Sequence, residues 1–335
     1  YLYNYIILRK EDPKMAFIRT ILGDIDPSMA GVVDTHEHLI RIGGGEVALE
    51  GEDYRLASVD AAVEECERFM SVGGKTVVDM CPASLGRDIV KLLETNRRVP
   101  GLNLIATTGF QASHVYDKVV HWVMRYSINQ IADLLIAEIE EGIDEHDYMG
   151  PIVKRSEAKA GCIKIGTSYG LITPFEEKEI KAAAIASIET GALINTHTSR
   201  GTMALEQVKL FLSLGVKPDK LMIGHVQKNP DPWYHKKIAA LGASFSYDGG
   251  YRVKYFSDNV RADLIKEMIK AGYQKHITLA TDSGKKSYLK AYGAGTGIDY
   301  DLSVFIPRLR EEGVPEDAIE DMLINNPARL FSINK

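Results

Sequence analysis

The feature that most constrains this chain is an alternation repeated eight times. Short apolar runs rich in Val, Ile and Thr are followed by longer stretches with helical spacing. The runs fall at 31–36, 75–80, 103–108, 161–166, 190–197, 220–225, 242–247 and 276–282. The clearest helical stretches are 59–72, 127–141, 175–189, 203–214 and 258–271. Gly73, Gly191, Gly242 and Gly272 stand just before the next run, where a glycine ends a helix. Strands alternating with helices make parallel sheets, and eight such units predict an α/β fold of the (β/α)8 TIM-barrel type. The competitor is a doubly wound open sheet. No GxGxxG or GxxxxGK[ST] follows any run, so that fold's common nucleotide signatures are absent. Residues 15–30 read as a short N-terminal hairpin and 315–333 as a C-terminal helix. Residues 1–14 (YLYNYIILRKEDPK) precede Met15 and read as an upstream extension, leaving 15–335 as one barrel domain.

Composition excludes several classes. With 46 acidic against 40 basic residues, the net charge is −6, which argues against a nucleic-acid partner. No run of about 18 apolar residues marks a membrane span. Cys66, Cys81 and Cys162 form no spaced framework, as expected of a reducing, cytoplasmic setting. A small-molecule substrate is the expectation that remains.

Metal-ligand residue types gather at the ends of the runs. His36 and His38 form an HxH pair at the end of the first, and residues two apart on a strand share a side. Lys164 lies inside the apolar run CIKIG. His197, His225 and Asp282 end the fifth, sixth and eighth runs. All six would project at the C-terminal rim of one barrel, where active sites of this fold lie. Each has a plain structural reading: a strand-end His is commonly a hydrogen-bonded core residue, and Asp282 could cap a turn. Lys164 resists that reading, because an unpaired ammonium inside a barrel is costly. Four His and one Asp suit Zn²⁺ or a similar divalent ion, with Mn²⁺ and Co²⁺ as alternatives. A lysine carbamylated by CO₂ is an anion with two oxygens, able to bridge two cations. Asp34 and Thr35 are candidates to orient the histidines from behind.

In order, VVDTHEHL, CIKIGTS, NTHTSRGT, IGHVQKN and LATDSG resemble the phosphotriesterase family of the amidohydrolase superfamily. The resemblance runs from about Met15 to the terminal NNPARLF. It implies that His36, His38 and Asp282 bind the more buried of two metal ions and His197 and His225 the more exposed one. Carbamylated Lys164 and a hydroxide would bridge them. It further implies that the hydroxide attacks a carbonyl carbon or phosphorus, with Asp282 taking its proton, and that the enzyme is a homodimer.

The family includes phosphotriesterases, lactonases and enzymes acting on phosphorylated sugar lactones. The loops after the seventh and eighth runs, YDGGYRVKYFSDN and DSGKKSYLKAYG, carry Arg252, Lys254, Tyr255, Lys285, Lys286 and Tyr288. Barrel enzymes often bind phosphate there, and Arg grips it with two prongs. These loops also resemble those of members that act on phosphorylated sugar lactones. Solvated loop charges are the plain alternative reading. His114 is a further candidate contact. The expected function is therefore hydrolysis of a phosphorylated pentonolactone. A phosphotriesterase or unphosphorylated-lactone hydrolase with the same metals, and a non-catalytic ligand-binding barrel, are the alternatives.

Overall fold

The computed structural model describes residues 16–116 and 121–334, and the extension expected over 1–14 lies outside them. Two short antiparallel strands come first, β1 (Phe17–Thr20) and β2 (Gly23–Ile25). Eight parallel strands follow: β3 (Val32–Glu37), β4 (Gly74–Asp79), β5 (Asn103–Gly109), β6 (Ala160–Thr167), β7 (Leu193–Thr198), β8 (Leu221–Gly224), β9 (Ser244–Tyr247) and β10 (Ile277–Leu279). Each pairs with the next in chain order, and each falls on one of the eight expected runs. Polar groups close the seam between β10 and β3. Thr35 Oγ1 lies 3.1 Å from Thr278 Oγ1 and 3.1 Å from the Leu279 carbonyl. Thr281 donates its backbone N–H to Asp34 at 3.2 Å, and Asp282 donates its own to the His36 carbonyl at 3.0 Å. Asp34 and Thr35 therefore tie the barrel shut, and neither reaches a histidine ring.

Around the sheet lie α1 (Gly44–Glu50), α2 (Val59–Ser71), α3 (Ile89–Arg98), α4 (Ile128–Glu140), α5 (Pro174–Thr190), α6 (Ala204–Ser213), α7 (Pro232–Ala240) and α8 (Asp258–Lys270). Local chemistry sets their ends. Thr173 and Glu176 form a reciprocal cap at the start of α5, and Gly191 ends it at φ 75°. Gly73, Gly242 and Gly272 also take positive φ. Val33, Val78, Ile105, Cys162, Leu193 and Met222, one from each of β3 to β8, form one apolar cluster with Ile18, Leu330 and Phe331. A cluster fed by six strands and by none of α1–α8 must fill the barrel interior. The larger core packs those helices onto the outside of the sheet.

After α9 (Ile306–Glu311), the helix expected over 315–333 is present as α10 (Glu316–Glu320), a wide π turn over Asp321–Asn325 and α11 (Asn326–Phe331). It departs from expectation only in that π turn and in its end, where a strand, β11 (Ser332–Ile333), follows. The π turn shifts the helical register, so Leu330 and Phe331 meet the interior cluster while Ala318 and Ile319 stay on the outer core. β11 then pairs antiparallel with β1, which turns the expected hairpin into a three-stranded sheet and covers an open edge. No helix among the described residues is long and apolar enough to cross a membrane.

Candidate metal centre and substrate cavity

The carboxyl ends of the strands bring all six expected ligands together. His36 sits at the end of β3, with His38 just beyond it. The Lys164 Nζ, from the middle of β6, lies 3.0 Å from His36 Nε2. Asp282 Oδ1 lies 3.8 Å from His36 Nε2 and 3.6 Å from His38 Nε2. The His225 ring stands 4.9 Å from that of His36 and 4.5 Å from that of His197, centre to centre. His225 and Asp282 both adopt left-handed backbone, at φ 62° and φ 50°. Such residues cost about 1–3 kcal/mol each and cluster at functional sites. Here the sharp turns carry the two side chains off the strand ends and over the barrel.

Burial and charge prepare these groups for a cation. All four histidines are held well below the ordinary imidazole range, in each case chiefly by burial. Their rings are therefore neutral near pH 7, with lone pairs to give. His36 Nδ1 is buried without a hydrogen-bond partner. Burial also brings the Lys164 ammonium down to about 8. For Asp282 burial is the largest influence and opposes the charge, but Arg252, His225, His36 and Lys228 together outweigh it and keep the carboxyl well below its usual range. Neutral nitrogens converging on a carboxylate, beside a lysine that readily gives up its proton, fit a pair of divalent ions.

His36, His38 and Asp282 form one close donor set; His36, His225 and Asp248 form another. The oxygens of Asp248 are already engaged. One accepts the His225 ring N–H at 2.6 Å and a Gln227 amide N–H at 3.0 Å, and the other accepts the His225 backbone N–H at 2.8 Å. Asp248 is thus an orienting carboxylate that fixes the His225 tautomer and aims Nε2 away from itself. Sequence reasoning missed it, although it stands only one residue beyond β9.

The cavity above the ligands has an inner chamber of about 130 Å³ and an adjoining outer one of about 420 Å³. Arg252, Lys254, Tyr255, Lys285 and Tyr288 line the inner chamber, as expected. His114 lines the outer one. Lys286 is not among the lining residues of either, and its Nζ stands over the Tyr292 ring. Arg252 is more deeply engaged than a loop charge. Its side chain is 8% exposed, and Nη2 donates to Asp282 Oδ2 at 2.7 Å and to the carbonyls of Thr281 and Asp282 at 2.9 Å each. Lys228, which lies within IGHVQKN, and Arg41, Glu46, Tyr54 and Gln111 also line the inner chamber and are not among the expected contacts. Lys228 lies 4.9 Å and Lys254 5.1 Å from the centre of the Tyr255 ring, and Lys285 4.2 Å from that of Tyr54. Such contacts hold cations in place at modest energy.

Eight parallel strands with buried His, Lys and Asp side chains at their carboxyl ends define a metal-binding hydrolase barrel. Residues 16–331 match the phosphotriesterase family. A phospho-furanose lactonase of Mycoplasmopsis synoviae (strain 53) is 43% identical over 327 residues, covering 95% of this chain and 92% of its own. Among solved structures, an amidohydrolase from Mycoplasma synoviae aligns with TM-score 0.93 and 43% identity, over 96% of this chain and 93% of that one. A lactonase from Listeria monocytogenes aligns with TM-score 0.88 and 31% identity, over 95% and 100% of the two chains. The chain belongs to the phosphotriesterase family, a family of binuclear metal enzymes, and it is a hydrolytic enzyme.

Proposed function

We propose that the protein opens the ring of a five-carbon sugar lactone bearing a 5-phosphate. The observation that carries this reading is the ring of Lys228, Arg252, Lys254 and Lys285 on a cavity shared with the metal-ligand set. In a chain of net charge −6, five cations on one small chamber, two of them (Arg41 and Arg252) paired with Glu46 and Asp282, point to an anionic substrate. A neutral triester or long acyl chain would be matched by an apolar wall. The similarity to a phospho-furanose lactonase and to a lactonase supports the same reading.

His36, His38 and Asp282 would hold one metal ion, His197 and His225 the other, and carbamylated Lys164 both. When bound, a divalent pair of Zn²⁺, Mn²⁺ or Co²⁺ acidifies a water and polarises the lactone carbonyl. The chain supplies the remainder. A Lys164 amine titrating near 8 is neutral in about a tenth of molecules at pH 7. Its nitrogen adds to CO₂, forming an N–C bond and releasing one proton. Asp282, aimed by Arg252, accepts the proton of the attacking water and returns it to the ring oxygen as the lactone C–O bond breaks. Arg252, Lys228, Lys254, Lys285 and the Tyr255 hydroxyl hold the phosphate; Arg252 thus links the phosphate site to the proton carrier. Lys286 drops from the substrate contacts. A cytoplasmic homodimer formed by a single barrel domain over 15–335 is the accompanying expectation, and light scattering on purified protein checks the dimer.

The test is a pH-indicator assay on metal-loaded protein, because lactone opening releases a proton. Pentonolactones are compared with and without 5-phosphate. A preference of about tenfold or more in kcat/KM, worth about 1.4 kcal/mol, is expected for the phosphorylated form. Failure of both, with rapid turnover of an aryl phosphotriester or acyl lactone, would overturn the substrate assignment and leave the metal centre standing.

A further inference from the structure

One lining group runs against the charge of the cavity. Glu46, on α1, lines both chambers among the cations. A carboxylate there repels the phosphate of the proposed substrate, so phosphate binding does not explain it. Its placement is built in. The sequence Gly43-Gly44-Gly45 opens α1. A Cβ at Gly44 would stand 2.4 Å from the Leu85 carbonyl carbon, and one at Gly45 2.1 Å from the Val115 carbonyl oxygen. Both obstacles are backbone. Only glycine lets the start of α1 settle against the loops after β4 and β5, and that seat delivers Glu46 to the cavity.

The carboxylate is held from behind. Arg41, 1% exposed, donates Nη1 to Oε2 and is itself fixed through the Tyr54 and Gly284 carbonyls. Gln111 donates Nε2 to Oε1 at 3.2 Å, with its own Oε1 tied to the Ala112 N–H. One donor therefore occupies each oxygen. A carboxylate offers about four acceptor positions in all, so each oxygen of this cavity-lining group keeps capacity to accept a further hydrogen bond. They can only accept, and the neutral donors of a sugar lactone are its hydroxyls. Apart from Arg41, which is paired with Glu46, the cations come from the loops after β8, β9 and β10, whereas Glu46 and Gln111 come from those after β3 and β5. Glu46 thus stands at one edge of the cationic arc, where the loops after β3 and β10 meet.

We infer that Glu46 is a specificity-determining residue that accepts hydrogen bonds from the ring hydroxyls of the substrate while its phosphate lies against the cationic arc. This rests on the phosphorylated-lactone reading above. A substrate lacking those hydroxyls would leave Glu46 desolvated and unpaired, the kind of mismatch that discriminates strongly.

The experiment measures kcat/KM of metal-loaded wild type, Glu46→Gln and Glu46→Asp on two substrates. One is a pentonolactone 5-phosphate; the other is its 2,3-dideoxy analogue, also phosphorylated. The wild type is expected to prefer the hydroxylated substrate by about thirtyfold or more. Glu46→Gln should collapse that ratio to within about threefold. Glu46→Asp keeps the charge opposite Arg41 but retracts it by one carbon, and should give an intermediate ratio. It also carries the test should Glu46→Gln fold poorly. An unchanged ratio in both variants, with both substrates slowed equally, would assign Glu46 a purely structural role beside Arg41 and overturn the inference. So would a wild type indifferent to the hydroxyls, with the phosphate reading intact. If the wild type turns over neither phosphorylated substrate but does open unphosphorylated lactones, the underlying substrate reading has failed, and this inference falls with it.

Discussion

Lys164 is the residue on which the centre turns. A buried ammonium beside His36 would repel metal ions, whereas its carbamate would hold them, so burial serves the chemistry by freeing the amine. At fixed dissolved CO₂, metal uptake by stripped protein should accelerate about tenfold from pH 6 to pH 7 and level off above about 8, as the ammonium is lost. Uptake that ignores CO₂ and pH would speak against the carbamate. Lys164→Ala should lose most bound metal and activity, read by elemental analysis and the indicator assay. Arg252 and Lys254 should separate by position. Lys254 is exposed, and Lys254→Ala should raise KM for phosphorylated lactone about three- to tenfold and spare the unphosphorylated one. Arg252 also holds Asp282, so Arg252→Ala should lower kcat on both substrates. Equal behaviour of the two variants would contradict that division.

At the level of elements, the site depends on how closely β5 and β6 approach. Gly109 ends β5 at φ 99°, and a Cβ there would stand 2.0 Å from the Lys164 carbonyl oxygen. Phe110 donates its N–H to that same oxygen at 2.9 Å. Gly109→Ala should therefore push Lys164 out of register and strain the turn, costing about 3 kcal/mol or more. Calorimetry should show a Tm lower by about 4 °C or more, together with reduced metal content. A variant melting within a degree of wild type would mean that the two strands separate without penalty. The strands are mostly buried and carry polar residues along their length as well as at their ends, Thr76, Asn195 and Ser246 among them, but the candidate metal ligands other than Lys164 gather at the carboxyl ends.

The whole molecule is acidic, yet its working cavity is cationic. Attraction between that cavity and a dianionic phosphate is long-ranged at low salt and screened within about 8 Å at physiological ionic strength. Raising salt from about 10 mM to about 500 mM should cut kcat/KM for a phosphorylated lactone several-fold, while an unphosphorylated lactone changes by less than about twofold. A flat profile for both would remove electrostatic capture from the account. Closure of the barrel makes such a cavity: the polar seam between β10 and β3 brings Asp282 back beside His36, so the last strand completes a site begun by the first.

The sequence by itself determined the barrel and the set of candidate metal ligands that it brings together. Both are written in short-range patterns: short apolar runs that alternate with glycine-stopped helices, and metal-ligand residues at strand ends, where the direction of the chain dictates where the side chain points. It did not determine the back of the site or its walls. Asp248 is recognisable only once β8 and β9 lie side by side, because its role is to face His225. Lys228, Arg41, Gln111 and Glu46 sit on separate loops with no periodicity, and Lys286, adjacent to Lys285, turns the other way. The helix expected over 315–333 is present, but its π turn and its early end in β11 escaped the sequence for a related reason. Its far end had to reach β1 and the barrel interior, a demand that local helical spacing does not contain. Loop side chains have no regular direction of their own, and only the closed barrel decides which of them meet.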